Sequence, residues 1–205
     1  GIADLYPFPN TLVGLRVRGE QLIEWLERAV SCFCQVYSEQ NRQPLWNPDF
    51  VGNTFDTVCG LRYAINLAQP ARYDKTGALI NPNAHRINNL RHQGQPIKDT
   101  DEFVLALKSF RAFSSGMFAV PEAADLIYRG QTPIRDLLIG YIRQNGCENV
   151  VPSHPSWAFQ PVENASVVLE TGPGVMAYMN DIEDISGKVI DQTDRGFMRL
   201  EIPLK

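Results

Sequence analysis

Apolar and polar positions alternate through TLVGLRVRG. Val13, Leu15 and Val17 fall on one face and Arg16 and Arg18 on the other, so the first predicted element is a half-buried strand that Gly19 ends. The period then changes. EQLIEWLERAV places Leu22, Leu26, Ala29 and Val30 on one stripe, widened by Ile23, while Glu20, Glu24, Glu27 and Arg28 stay outside it. This spacing, with acids in the first turn, predicts an amphipathic helix. Residues 38–52 are polar and broken by proline, and predict a long loop. GLRYAINLA alternates again, with Leu61, Tyr63, Ile65 and Leu67 on one face, and predicts a second strand. YDKTGALINPN has turn chemistry, and HRINNLRHQGQPI carries a strand into a tight Gln93–Gly94 turn. EFVLALKSF is a nearly continuous apolar run ending at Phe110, which predicts a central strand covered on both faces.

The remaining segments follow the same logic. QTPIRDLLIGYIRQNG predicts a helix in which Thr132 caps, Pro133 takes the first helical position and Gly146 stops the chain. Its expected buried face is Ile134, Leu137, Leu138, Tyr141 and Ile142. ASVVLETG and FMRLEIPL predict late strands, joined by connections rich in Gly and Asp. Repeats and low-complexity tracts are absent. Strands and helices mix without a strict βαβ rhythm, so the predicted fold class is α+β, with a mixed or mostly antiparallel sheet and flanking helices.

Composition narrows the functional classes. The chain has 205 residues, enough for a substantial core without disulfides or a metal. Apolar residues make up 44% and charged residues 20%, ordinary for a water-exposed globular domain. A net charge of −4 gives no electrostatic reason to expect a nucleic-acid polymer or an acidic membrane as partner. No stretch approaches the roughly 18 apolar residues of a spanning helix. The chain begins GIADLYPFPN, without Met, and reads as a mature or excised piece of a longer protein. Cys32 and Cys34 are too close to bridge comfortably, and no paired C-x-x-C zinc pattern exists. Buried free thiols are the expectation for the four cysteines, with one disulfide, involving Cys59, left open. His85, His92 and His154 have no ligand at metal-binding spacing, Ser114 and Ser115 lie in no nucleophile elbow, and the Gly172–Gly174 turn lacks the residues of a phosphate loop. Asp181, Glu183 and Asp184 form a charged patch of solvated character. No catalytic residues and no metal ligands are expected in these 205 residues: the sequence reads as a domain that binds.

Two aromatic loops give that binding a form. DLYPFPN holds Tyr6 and Phe8 between prolines, and SFRAFSSGMF holds Phe110, Phe113 and Phe118. Two rings facing one another about 7 Å apart would sandwich a flat ligand, at about 1–3 kcal/mol per stacked base. The other reading is that these rings fill the core, as most phenylalanines do.

Several segments together resemble the C-terminal domain of the bacterial 5′-nucleotidase family, most closely its 2′,3′-cyclic-nucleotide 2′-phosphodiesterase/3′-nucleotidase branch. DLYPFPNTLVGLRVRGEQLIEWLE is similar to the start of that domain. NTFDTVCGLRYAINLAQPARYD resembles the branch's Y-N-F-D-x-x-x-G-x-x-Y-x-I-D-x-x-x-P-A-R-Y-D pattern. INPNAHRINNLRHQGQPI and FVLALKSFRAFSSGMF resemble its next two, in the same order, and weaker likeness continues to the end.

The resemblance implies a 5′-nucleotidase C-terminal domain-like fold. It also implies that residues 1–205 are a single substrate-binding domain, truncated at its N-terminus, of a two-domain enzyme. The expected partner domain is a metallophosphoesterase carrying two divalent metal ions, and this domain would clamp a nucleotide or nucleoside base. By position Phe8 supplies one ring and Phe110 the other, Asn10 contacts the base edge, and Phe113 shares the stacking role. The resemblance places the protein in the periplasm or outside the cell. Two departures stand out. Lys108–Ser109 replaces Asn-Asn before the second ring, and Ser114–Ser115 replaces Gly-Gly after it, with no acid at 116 or 117. They leave two alternatives: a non-catalytic module that keeps the fold without nucleotide binding, and the same domain of a 5′-nucleotidase or sugar-nucleotide hydrolase.

Overall fold

The computed structural model describes residues 6–114, 125–146, 155–181 and 186–205. Among them the order is β1 (Thr11–Arg18), α1 (Gly19–Val30), β2 (Gln43–Pro44), β3 (Leu61–Ile65), β4 (Ile87–His92), β5 (Gln95–Pro96), β6 (Glu102–Lys108), α2 (Ser109–Ala112), β7 (Asp125–Pro133), α3 (Ile134–Asn145), β8 (Trp157–Phe159), β9 (Ser166–Thr171), a 3₁₀ segment (Pro173–Asp181), β10 (Lys188–Gln192) and β11 (Met198–Pro203). The strands form three small sheets, in the orders β6-β1-β7, β10-β11-β9-β2 and β5-β4-β3-β8. Pairing is antiparallel except between β2 and β9 and between β3 and β8. The fold is α+β, as the pattern predicts.

Helix α1 holds the sheets together because its apolar stripe is wide enough to serve two cores. Leu22, Leu26 and Val30 join Leu61, Tyr63, Ile65, Leu67 and Val167 in the larger one. Trp25 turns the other way, into a smaller core with Val13, Leu15, Val17 and Ala112. The helix starts abruptly. Gln21 accepts the Arg18 N–H at 2.7 Å, and Gly19 lies so close to the Lys98 carbonyl that a Cβ would stand 2.0 Å from it.

The polar groups of α1 are matched as closely as its apolar ones. Glu27, fully buried, accepts the backbone N–H groups of Arg86 and Ile87 at 3.1 and 2.9 Å. The guanidinium of Arg86 fills the end of the helix, donating to the carbonyls of Val30 and Phe33 at 2.9 and 2.8 Å. Burial draws that guanidinium down to about 10. Glu24 pairs with Arg72 at 2.9 Å and accepts the Tyr73 hydroxyl. The predicted turn after β4 is a two-residue hairpin with positive φ at both Gln93 and Gly94, the conformation that the right-handed twist of a hairpin favours.

Several expectations are corrected. EFVLALKSF is not a central strand. It forms β6 at the edge of the three-stranded sheet, where Phe103, Leu105 and Leu107 are half-buried against β1 and Val104 is 67% exposed. Thr132 does not cap a helix. Strand β7 stays paired with β1 as far as Pro133, so the chain is still extended there and α3 begins one residue later. Gly146 does end α3, at φ 71°. The predicted buried face of α3 is not buried: no residue of that helix is, and Leu137, Leu138 and Tyr141 are 43%, 41% and 54% exposed. Strands β7, β8 and β10 lie where no strand was expected. Cys32 is buried and Cys34 partly so. Cys59 is exposed, and all three are free thiols. Cys147, His154, Ser115, Phe118, Glu183 and Asp184 lie outside the described residues.

Candidate functional site

The two aromatic loops meet at the top of β1. The first runs from Tyr6 to Asn10 and enters the strand directly, so its position follows from the strand's register. The second begins at α2, a single turn immediately after β6, and β6 pairs with β1 so that Lys108 stands beside Leu12. Two antiparallel neighbours thus carry their ends to one place, although about 100 residues separate them in sequence.

Asn10 joins the two. Its side-chain oxygen accepts the Phe110 N–H at 3.2 Å and its amide nitrogen donates to the Tyr6 hydroxyl at 3.1 Å. Its backbone carbonyl accepts the Ile134 N–H at 2.8 Å, tying the start of α3 to the same point. Beside it, the Thr11 N–H donates to the Ser109 hydroxyl at 3.0 Å. Asn10 thereby uses one acceptor site and one donor of its amide, and retains a second of each.

The rings themselves face water. Phe8 is 62% exposed and packs edge-on against Tyr6, with centroids 6.3 Å apart. Phe110 is 49% exposed and Phe113 54%. Cationic groups border both of the latter: the Lys108 ammonium and the Arg111 guanidinium lie 6.0 and 5.9 Å from the Phe110 centroid, and the Arg129 guanidinium 5.0 Å from that of Phe113. Half-exposed rings with cations set over them suit a flat, electron-rich or anionic ligand. The rings do not fill the core, which removes the packing alternative for Phe8, Phe110 and Phe113.

Behind the second loop lies a group of residues that sequence reading did not single out. The Arg111 side chain is only 5% exposed. Its Nε and Nη2 donate to one oxygen of Asp56 at 3.0 and 2.8 Å, and Nη2 also reaches the Asn53 carbonyl at 2.8 Å. The other Asp56 oxygen accepts the Trp25 indole N–H at 3.1 Å. Asp56 and Arg111 belong to the quoted NTFDTVCG and SFRAF segments. A lone acid in an otherwise uncharged loop was their one local signal. A cleft of about 470 Å³ opens alongside, between β6 and residues 56–61.

A larger cleft lies elsewhere. It measures about 890 Å³ and runs over β2, β9 and β11, past Trp46 and Val168. Three of its charged lining residues are already engaged, Arg199 with Asp191 and Arg42 with Glu201. Size therefore does not select it over the aromatic loops. No cluster of three His, Cys, Asp or Glu side chains at metal-binding distance occurs among the described residues, so these residues do not fit a metal centre. No helix among them is long and apolar enough to cross a membrane.

The profile of the family described as "5′-nucleotidase, C-terminal domain" matches residues 1–122. The 2′,3′-cyclic-nucleotide 2′-phosphodiesterase/3′-nucleotidase of Haemophilus influenzae is 35% identical over 185 residues, 85% of this chain and 28% of its own length. The protein of the same name from Salmonella typhimurium is 31% identical over 213 aligned positions, 98% of this chain and 33% of its own length. The chain thus spans about a third or less of these two relatives. Among solved structures, a 5′-nucleotidase-type protein from Staphylococcus aureus superimposes with a TM-score of 0.61 at 21% identity, covering 77% of this chain and 29% of that one, a likeness of fold.

Proposed function

Since the chain belongs to the 5′-nucleotidase C-terminal domain family, we propose that it is the base-recognition domain of a two-domain 2′,3′-cyclic-nucleotide 2′-phosphodiesterase/3′-nucleotidase. Phe8 and Phe110 stack on the two faces of a nucleobase, Phe113 extends the platform, and the unused donor and acceptor of Asn10 read the base edge. The observation that carries this reading is the Asn10–Phe110 hydrogen bond, which joins the two loops and fixes where the second ring starts.

The physical logic is preorganisation. Pro7 and Pro9 restrict the first loop, and Asn10 ties the second to it, so little freedom is lost when a base enters. Stacking then contributes about 1–3 kcal/mol per base. Binding energy from this remote part of the substrate orients its phosphate for reaction elsewhere. The phosphate chemistry belongs to a metallophosphoesterase domain with two divalent ions in the same longer chain, and the 205 residues alone are catalytically inert. The reading places the enzyme in the periplasm or outside the cell.

A second reading rests on the Ser114–Ser115 departure. The Ser114 hydroxyl donates to the Phe110 carbonyl, which closes the loop in a way that glycine would not. A module that binds something other than a nucleotide would tolerate this change. Titration of the chain with adenosine 3′-monophosphate by NMR separates the two. The proposal predicts shifts centred on Phe8, Asn10, Phe110 and Phe113 that vanish in Phe110→Ala and Phe8→Ala. Equal responses in all three proteins would favour the module. Comparing the 3′- and 5′-monophosphates as substrates of the longer protein tests the 5′-nucleotidase alternative.

A further inference from the structure

Phe110 gains a fixed position only if the single turn that carries it is held. That turn, Ser109–Ala112, is too short to be stable alone. Besides the Phe110 N–H bond to Asn10, three attachments hold it. Ala112 is buried in the small core beside Val13 and Trp25. Ser109 accepts the Thr11 N–H. Arg111, the residue after Phe110, is locked by Asp56, which is itself locked by Trp25.

We infer that Asp56 is a positioning residue for ligand binding: through Arg111 it sets the orientation of the Phe110 ring, with Trp25 setting the orientation of Asp56. The inference rests on the proposed stacking role of Phe110. The geometry supports it in three ways. The Arg111 guanidinium lies over the Phe110 ring, 5.9 Å from its centroid, while its Nε and Nη2 are held by Asp56, so the pair fixes a group set against the face of that ring. Asp56 engages both partners at once, one oxygen for each, and so couples α1 to α2 across the cleft. The Nη2 contact with the Asn53 carbonyl anchors the same guanidinium to the loop that carries Asp56. A planar guanidinium with several donors can be fixed in this manner, whereas an ammonium at the same place would be a swivelling point charge.

The pair is mostly buried, with Arg111 5% and Asp56 23% exposed at the side chain. Removing one partner therefore strands the other and also reduces stability. A test must separate positioning from simple loss of fold. Asp56→Asn keeps an acceptor for Trp25 but loses the charge, Arg111→Lys keeps the charge but loses the fork, and Trp25→Phe keeps the apolar packing but loses the N–H. Val167→Ala, fully buried in β9 and part of the larger core rather than the small one that holds Trp25 and Ala112, serves as the destabilised control.

Two quantities are read on the 205-residue chain, at a temperature where every variant is folded. One is affinity for adenosine 3′-monophosphate. The other, without ligand, is hydrogen exchange of the Phe110 amide, which bonds Asn10. The inference predicts that Asp56→Asn weakens binding roughly fivefold or more and speeds Phe110 exchange. Arg111→Lys should follow closely and Trp25→Phe should have the smallest effect. Val167→Ala should lower the unfolding temperature yet leave both quantities unchanged. Unaltered affinity and exchange in Asp56→Asn would overturn the inference, as would equal losses in Asp56→Asn and Val167→Ala. If the unsubstituted chain binds no nucleotide but Asp56→Asn still frees the Phe110 amide selectively, the positioning role stands and the nucleotide reading falls.

Discussion

Helices α1 and α3 are each 12 residues long, and both carry an apolar stripe with charged residues beside it. Their fates differ completely. Seven residues of α1 are buried, among them Leu22, Trp25, Leu26 and Val30, while α3 has none. The difference lies in what the chain places against them. Helix α1 leaves β1 and lies across two cores, so its wide stripe finds partners on two sides. Helix α3 leaves β7 at the rim of the smallest sheet, and its Leu137, Leu138 and Tyr141 stay exposed, as do Leu126, Ile127 and Tyr128 of that strand. An amphipathic pattern specifies a helix and its apolar side. It does not specify that the remainder of the fold will cover that side.

The largest expected effect is the loss of a partner on the covered side. Leu26 is fully buried at the heart of the larger core. Leu26→Ala should destabilise the protein by about 2–5 kcal/mol, read by denaturant or thermal unfolding. A loss below about 1 kcal/mol would break the contrast between the helices.

Next comes a substitution whose effect should fall on binding rather than on folding. Phe110→Ala removes an exposed ring, so its unfolding temperature should stay close to the parent's while nucleotide affinity drops by about 1–3 kcal/mol. A large fall in stability without change in affinity would turn Phe110 into a packing residue.

A smaller effect depends on pH. Burial by itself would raise the Glu24 carboxyl, but hydrogen bonds from Arg72 and Tyr73 and the Arg72 charge outweigh it and hold the group below its usual 4.5. A carboxyl lowered in the folded state contributes stability above its unfolded value, and that contribution is lost as pH falls through the folded one. Stability should therefore decline below about pH 4.5 by up to about 1 kcal/mol from this site, and Glu24→Gln should flatten that part of the profile. Unfolding temperatures across pH 3 to 6, about one unit either side of the usual carboxylate range, provide the comparison.

The smallest effect belongs to the other helix. Leu138→Ala on α3 should change stability by no more than about 0.5 kcal/mol, because the side chain is 41% exposed already.

Much of the scaffold was legible in sequence because its pattern was local. The alternation of β1, the stripe of α1, the Gln93–Gly94 hairpin and the late strands β9 and β11 all rest on spacing within a few residues. The misreadings have a common origin in distant partners. Strand β6 looked doubly covered because its run is apolar, but it lies at an edge of its sheet, with β1 beside it and Val104 turned out to water. Thr132 looked like a cap because nothing local reveals that Pro133 is still paired with Thr11.

The candidate site divides in the same way. The aromatic loops of Phe8, Phe110 and Phe113 stood out in the sequence, but composition alone favoured them as core residues; their ligand roles, and Asn10, came from a family resemblance. Their exposure, and the Asn10 bond that brings the two loops together, required coordinates. Asp56 was invisible as the shared partner of Trp25 and Arg111 because the three lie on three different segments, at positions 25, 56 and 111.

The central claim is that Phe8 and Phe110 grip the same ligand from two loops. A double-mutant cycle of Phe8→Ala and Phe110→Ala on adenosine 3′-monophosphate affinity tests it directly. Two walls of one slot predict strong coupling: with either ring gone the base is no longer sandwiched, and losing the second ring costs at least about 0.5 kcal/mol less than it does in the intact chain. Additive losses, or no loss from either substitution, would contradict the account.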